Sequence, residues 1–333
     1  MPEPQAPPVG HPPVARLRAL RAVELRTPYL TEAADFYAEV WGLEVVDADR
    51  ESGAGWLRGS GPEHHVLSLT RAERNGLGRI AFAVATPAEI DEAARRLLAR
   101  GIVPVTEPGP LHQAGGGYGL RFTDPEGRLI ELSANVEAVP PRGRDSAVPV
   151  GVTHTVLNTT DIDGLVAFYC DVLGMRVSDW SEHQMAFLRC NADHHCIAFN
   201  QADWVSLNHV AYEMSSVDHF MRGLGRLRHH GITPKWGPGR HGPGNNTFSY
   251  FTDPAGLVCE YTSEVAQIVE DAWIARVWRR VPELSDLWGT AGPPSAEIRD
   301  HMAGIPDPGP LAEVAGNASA GQPHLTPGKG ISA

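Results

Sequence analysis

The strings FTDPEGRLIEL (Phe122 to Leu132) and FTDPAGLVCEY (Phe251 to Tyr261) are two versions of one segment, each with a Glu seven residues after its Asp. The duplication extends well beyond them. Glu260 lies 129 residues after Glu131, Gly231-Ile232 lies 130 after Gly101-Ile102, and Phe168-Tyr169 lies 132 after Phe36-Tyr37. A nearly constant offset over most of a chain means two copies of one module. Each copy opens with an alternating apolar run (21–25; 152–157) and continues into a helical pattern that ends in FYxxVxG (Phe36 to Gly42; Phe168 to Gly174). Short strand-like runs, a second helix (88–100; 217–230) and two strands around the DP-G turn complete it. The reading is α+β: tandem βαβββ modules, each a cup-like mixed sheet with flanking helices.

The modules span 18–137 and 150–265. Residues 1–17 read as a flexible arm, 138–149 as a linker and 309–333 as a disordered tail, because these stretches are rich in Pro, Gly and charge and poor in large apolar side chains. Segment 266–308 carries Trp273, Trp278 and Trp288. Trp273, Val277 and Trp278 have helical spacing, which predicts a terminal helix on the second module. The same segment is a candidate lid over the cup, with Arg279 or Arg280 meeting an anionic group of a bound ligand.

Net charge narrows the partners. At −12, without clustered Lys and Arg, the chain does not suit nucleic acid. No apolar run approaches the length of a membrane span, and the Pro-rich opening lacks a signal-peptide core, so no membrane partner and a cytoplasmic location are expected. Cys170, Cys190, Cys196 and Cys259 all lie in the second copy at irregular spacing, which suggests buried, reduced thiols and no zinc knuckle or disulfide framework.

The copies differ where chemistry would sit. Local alignment sets Ala22 opposite His154, Arg79 opposite His209, and Glu131 opposite Glu260. Only the second copy keeps two histidines and a carboxylate, each in a strand-like run that could point into the cup. Two neutral imidazoles and one carboxylate leave three adjacent positions open on iron(II). Manganese(II) suits the same donors. The Gly-rich run Gly237 to Asn246 lacks the Lys-Ser/Thr ending of a phosphate loop, and its glycines are expected to let a loop pass close to substrate. Asn245 and Asn246 are expected either to contact a bound ligand or to make turns.

The stretch GRHGPGNNTFSYFTDPAGLVCE (Gly239 to Glu260) is similar to the signature of type I extradiol ring-cleaving dioxygenases of the vicinal oxygen chelate superfamily: a His, a Tyr nine residues on, D-P-x-G, and a metal-ligand Glu. Ser249 departs from the apolar residue usual before the Tyr. The resemblance covers residues 18–265. It implies His154, His209 and Glu260 as iron ligands, and His195, chosen over His194, as the active-site acid. It also implies that His241 and Tyr250 contact the oxygens of a catecholic substrate that is opened with O2, and it suggests a homo-oligomer. The competing expectations are a glyoxalase-like metal-dependent isomerase or transferase, and a non-catalytic binder of an aromatic ligand.

Overall fold

A computed structural model of the chain describes residues 12–49, 54–142, 147–269 and 273–307. The N-terminal domain runs β1 (Ala19–Thr27), α1 (Leu30–Asp35, continued by a π-helical turn Phe36–Val40), β2 (Glu44–Asp49), β3 (Ala54–Arg58) and β4 (Leu67–Arg71). It goes on through β5 (Gly76–Ala83), α2 (Pro87–Ala99), β6 (Thr106–Pro110), β7 (Tyr118–Thr123) and β8 (Leu129–Ala134). The C-terminal domain repeats this as β9 (Gly151–Thr159), α3 (Ile162–Asp171), β10 (Arg176–Ser181), β11 (Met185–Arg189), β12 (Ile197–Gln201), β13 (Ser206–Glu213), α4 (Val217–His229), β14 (Trp236–Arg240), β15 (Thr247–Thr252) and β16 (Val258–Ser263). Each repeat therefore holds the βαβββ unit twice.

The two units of a domain join edge to edge. β1 pairs antiparallel with β5, and β9 with β13, so each domain is one curved mixed sheet. Inward residues follow the period of two along each strand, and the sheet closes into the cup that the alternation predicts.

The repeated motifs clasp each other across the domain boundary. Tyr37 of the first FYxxVxG donates its hydroxyl to Asp253 of the second FTDP turn at 3.3 Å, and Tyr169 donates to Asp124 of the first at 3.2 Å. Trp41, fully buried, packs against Tyr212, Phe251 and Tyr261 of the other domain, and its carbonyl accepts from Arg226 and from the Tyr261 hydroxyl. The duplicated strings are thus the two halves of an interface.

Three expectations change. Residues 14–17 are packed, with Val14, Ala15 and Leu17 buried and the Val14 amide donating to the Val172 carbonyl. The carbonyls of Pro12 and Pro13 also accept from Arg100 and Arg96, and residues 1–11 of the expected arm lie outside the described residues. Ala147 of the linker is buried, while the predicted tail 309–333 falls outside the described residues. The predicted helix around Trp273 to Trp278 is instead a strand, β17 (Arg276–Trp278), parallel to the edge strand β10, and is followed by α5 (Pro282–Ser285) and α6 (Ala296–Ala303). The open edge of β10 supplied a hydrogen-bonding partner that local spacing does not report, and Pro282 interrupts any longer helix.

Burial raises the carboxyl of Asp253 to about pH 6 against the backbone amides and the Tyr37 hydroxyl that favour its ionised form. A carboxyl whose folded pKa exceeds its unfolded value contributes stability at low pH and loses it as pH rises through the folded value. Asp253→Asn should therefore gain in Tm over the wild type between about pH 4 and about pH 7, as read in parallel thermal melts. A pH-independent difference contradicts this.

Candidate active site

Three neighbouring strands build the floor of the cup. In register, His154 on β9 faces Ala211 on β13, and Ala211 faces Glu260 on β16. Ala211 is small enough for the longer side chains on either side to meet over it. His209 lies two residues before Ala211, beside a β-bulge at Asn208 that aims both Asn208 and His209 at the cavity. His154 Nε2 and His209 Nε2 lie 3.3 Å and 3.1 Å from Glu260 Oε2.

All three side chains are buried, at 3%, 5% and 0% exposure for His154, His209 and Glu260, yet both Glu260 oxygens and His209 Nε2 have no hydrogen-bond partner among the described residues. Unpaired buried polar atoms are expensive, so such a cluster calls for an absent partner. Metal bonds of about 2.1 Å meeting at right angles separate ligand atoms by about 3 Å, close to the separations here. The donor set fits a divalent ion. Burial would raise the Glu260 carboxyl, but the facing imidazoles hold it at about 2, and burial lowers His209. Glu260 is thus held as the carboxylate and burial disfavours the charged form of His209, which are the forms a metal needs.

The cavity above this floor holds about 650 Å³. His195, His241, Tyr250, Asn246, Arg279 and Arg280 line it together with His154 and His209, and Glu260, fully buried, lies behind these two histidines. His195 packs against His154 with ring centroids 4.3 Å apart and planes tilted by 46°, and burial, with nearby His154 and His194, lowers it well below the ordinary histidine range. His194 faces away and donates from Nε2 to Asp179 at 3.0 Å, while its Nδ1 meets His195 Nδ1 at 3.1 Å. The carboxylate fixes the proton on His194 Nε2, so His194 Nδ1 accepts from His195 and leaves His195 Nε2 as a lone pair.

A matching chain sets Tyr250. The Ser285 carbonyl accepts from His241 Nδ1 at 3.0 Å, so His241 Nε2 accepts the Tyr250 hydroxyl at 3.0 Å. Asn246 donates to the Thr262 hydroxyl at 2.8 Å, and its Oδ1 is buried and unpaired. Exposed Asn245 makes the turn, with φ 50°. Gly242 admits the C-terminal segment: a Cβ there would sit 2.5 Å from the Leu284 carbonyl. The glycine-rich loop is thus small at this point to pass another part of the chain.

Residues 278–285 and 293–303 supply much of the remaining wall, and Asp179 ties this strap down. Its Oδ2 accepts from Trp278 Nε1 at 2.7 Å and its Oδ1 from the Arg276 amide at 2.8 Å. Burial opposes its ionisation, but His194 and these donors lower its pKa. Asp179 and Asn208 are site residues that sequence reasoning missed. The first is an ordinary strand Asp whose partners lie about a hundred residues away. The second carries only the weak signal of preceding a ligand His.

In the N-terminal domain the equivalent space is filled. Arg79 reaches Glu131 at 2.9 Å and Glu24 at 3.3 Å, and Arg121 also meets Glu131 at 2.9 Å. A covalently attached guanidinium stands where the other domain has His209.

The family model of the Glyoxalase/Bleomycin resistance protein/Dioxygenase superfamily matches residues 19–132 and again 151–261. The chain is 28% identical over 256 residues to Metapyrocatechase 2 from Cupriavidus necator, covering 70% of this chain and 74% of that one. It is 28% identical over 294 residues to the Manganese-dependent 2,3-dihydroxybiphenyl 1,2-dioxygenase from Geobacillus genomosp. 3, covering 77% and 88%. The crystal structure of the Mn(II)-bound glyoxalase from Novosphingobium aromaticivorans is similar at 40% identity and a TM-score of 0.81, over 89% of this chain and 97% of that one.

Replacing Arg79 by Met leaves the buried Glu131 with Arg121 as its remaining ion-pair partner and should cost about 3 kcal/mol of stability in denaturant titration, with one metal per chain still bound. Loss of that metal would place the centre in the wrong domain. The chain belongs to the Glyoxalase/Bleomycin resistance protein/Dioxygenase superfamily.

Proposed function

We propose that this chain is an iron(II)-dependent extradiol dioxygenase that opens a catecholic ring with O2 on the flank outside its two hydroxyls. The observation that carries the reading is the buried, unpaired His154–His209–Glu260 cluster at the floor of a cavity lined by His195, His241 and Tyr250. When bound to these three residues, the metal supplies a Lewis-acidic template that holds a diol and dioxygen next to each other. Iron(II) suits a two-histidine, one-carboxylate set. Manganese(II) is the alternative, in keeping with the names of two similar proteins.

The chain's own groups then divide the proton work. His195 presents a lone pair over the centre, so it first accepts a proton from the substrate side and then returns it to an oxygen as the ring opens. Tyr250 gives its own proton to His241, so its oxygen faces the substrate as an acceptor for a hydroxyl proton. His241 is held in place by the Ser285 carbonyl on the strap, which makes closure of the strap part of assembling the site. Asn246 offers its free Oδ1 to the substrate. Arg279 and Arg280, at the mouth of the cavity, suit an anionic substituent on the ring.

A glyoxalase-like reaction is the second reading, favoured by the name of the 40% identical structure. Three observations weigh against it. The candidate centre offers three protein donors, the first domain adds none to it, and His195, His241 and Tyr250 line the cavity above it. Such groups suit a reaction that moves protons on and off oxygen.

Oxygen-electrode assays on protein reconstituted anaerobically with Fe(II), and separately with Mn(II), test the proposal. Catechol, 2,3-dihydroxybiphenyl and a carboxylated catechol should give stoichiometric uptake and a yellow ring-opened product. Absence of uptake with metal bound contradicts it. His195→Gln should lower kcat by about 10²–10⁴-fold with KM little changed. Arg279→Ala with Arg280→Ala should abolish any preference for the carboxylated substrate, and an unaltered preference removes the arginines from recognition.

A further inference from the structure

One ligand histidine is tethered to the far end of the C-terminal segment by a chain of side-chain amides. The last carbonyls of α6, Met302 and Ala303, have no helical partner. Asn158 Nδ2 meets them at 2.7 Å and 3.2 Å and also the Ser206 hydroxyl at 2.8 Å. Trp204 Nε1 and the Ser206 hydroxyl donate to the Ala303 carbonyl as well, at 2.9 Å and 2.6 Å. The helix end sits directly on β13, since a Cβ on Gly304 would lie 2.5 Å from the Leu207 carbonyl.

Carbonyls only accept, so the orientation of the fully buried Asn158 amide is set: Nδ2 toward α6, Oδ1 away. That oxygen accepts from Asn200 Nδ2 at 2.9 Å and from Asn208 Nδ2 at 3.0 Å. Asn208 is thereby turned so that its Oδ1 faces His209 Nδ1 at 2.7 Å. An amide oxygen cannot donate, so the ring proton sits on His209 Nδ1 and the lone pair on Nε2, aimed at the Glu260 side of the centre. His154 has no such tether, because its Nδ1 is buried without a partner among the described residues.

We propose that Asn208 and Asn158 are positioning residues that hold His209 in its metal-binding tautomer, with the C-terminal carbonyls of α6 as the anchor. The inference rests on the metal-centre reading. It makes seating of the C-terminal helix a determinant of metal affinity, although α6 contributes no ligand.

The test is titration of Mn(II) into the full-length metal-free protein, with free Mn(II) read by its paramagnetic resonance signal. The wild type should bind one ion, and Glu260→Gln should abolish binding; failure of either result overturns the metal centre itself and the inference with it. Against that frame, Asn208→Leu, which keeps size and removes the acceptor, should weaken the Mn(II) Kd by about 10–100-fold, the range for loss of a partner behind a ligand histidine. Asn208→Asp keeps an acceptor for His209 Nδ1 and should stay within about threefold of the wild type on the same principle. Asn158→Leu should weaken binding in the same direction as Asn208→Leu by freeing the Asn208 amide to turn. Thermal melts check that each variant is folded. Wild-type affinity in Asn208→Leu, or equal loss in the Leu and Asp variants, would overturn the inference, because packing alone would then account for the effect.

Discussion

A fully buried carboxylate faced by two imidazoles, with both its oxygens lacking a donor, is a high-energy arrangement that a fold retains for a reason. Everything that holds Glu260 in place exists to keep that arrangement. Its strand is in register with Ala211 and, through it, with His154, so the sheet itself sets the spacing. The bulge at Asn208 turns His209 toward the same point. A divalent cation would convert the electrostatic cost into a gain, and the surrounding histidines and tyrosine then face whatever that cation binds.

The first domain shows a second solution to the same problem. Glu131 occupies the corresponding position, and Arg79 satisfies it from within the chain. A fixed guanidinium keeps the carboxylate ionised without a metal and leaves no open position, so that domain has kept the scaffold and given up the centre. What it still contributes is packing. Trp41 and Tyr37 insert among the aromatic residues of the other domain, and the Asp of each FTDP turn accepts a tyrosine hydroxyl from across the boundary. Those demands explain why the turn and the FYxxVxG string persist in both copies while the ligands persist in one.

Much of this was legible in the sequence because duplication supplied an internal reference. Corresponding positions that read His, His, Glu in one copy and Ala, Arg, Glu in the other single out the floor of the cup without knowledge of its geometry. The division of each repeat into two βαβββ units was less visible, since the halves of a domain no longer share a motif. The strand at Arg276–Trp278 was not legible at all: its pattern is helical, and the edge of β10 decides its conformation. Asp179, Asn158 and Asn208 were equally hidden, because a polar side chain acquires a role through partners that only the tertiary fold brings near. The strap works in this way, holding His194 and His241 through Asp179 and the Ser285 carbonyl while adding no ligand of its own.

The central claim is that this cavity incorporates dioxygen into a catecholic ring, and isotope labelling addresses it most directly. Metal-loaded protein turned over under ¹⁸O2 with a substrate that supports oxygen uptake should give a ring-opened product carrying both labelled atoms, one at each new carbon–oxygen bond. A product whose new oxygen comes from solvent water and so carries no label, or an isomerised substrate with no label, would contradict the dioxygenase account and leave the glyoxalase-like reaction in its place.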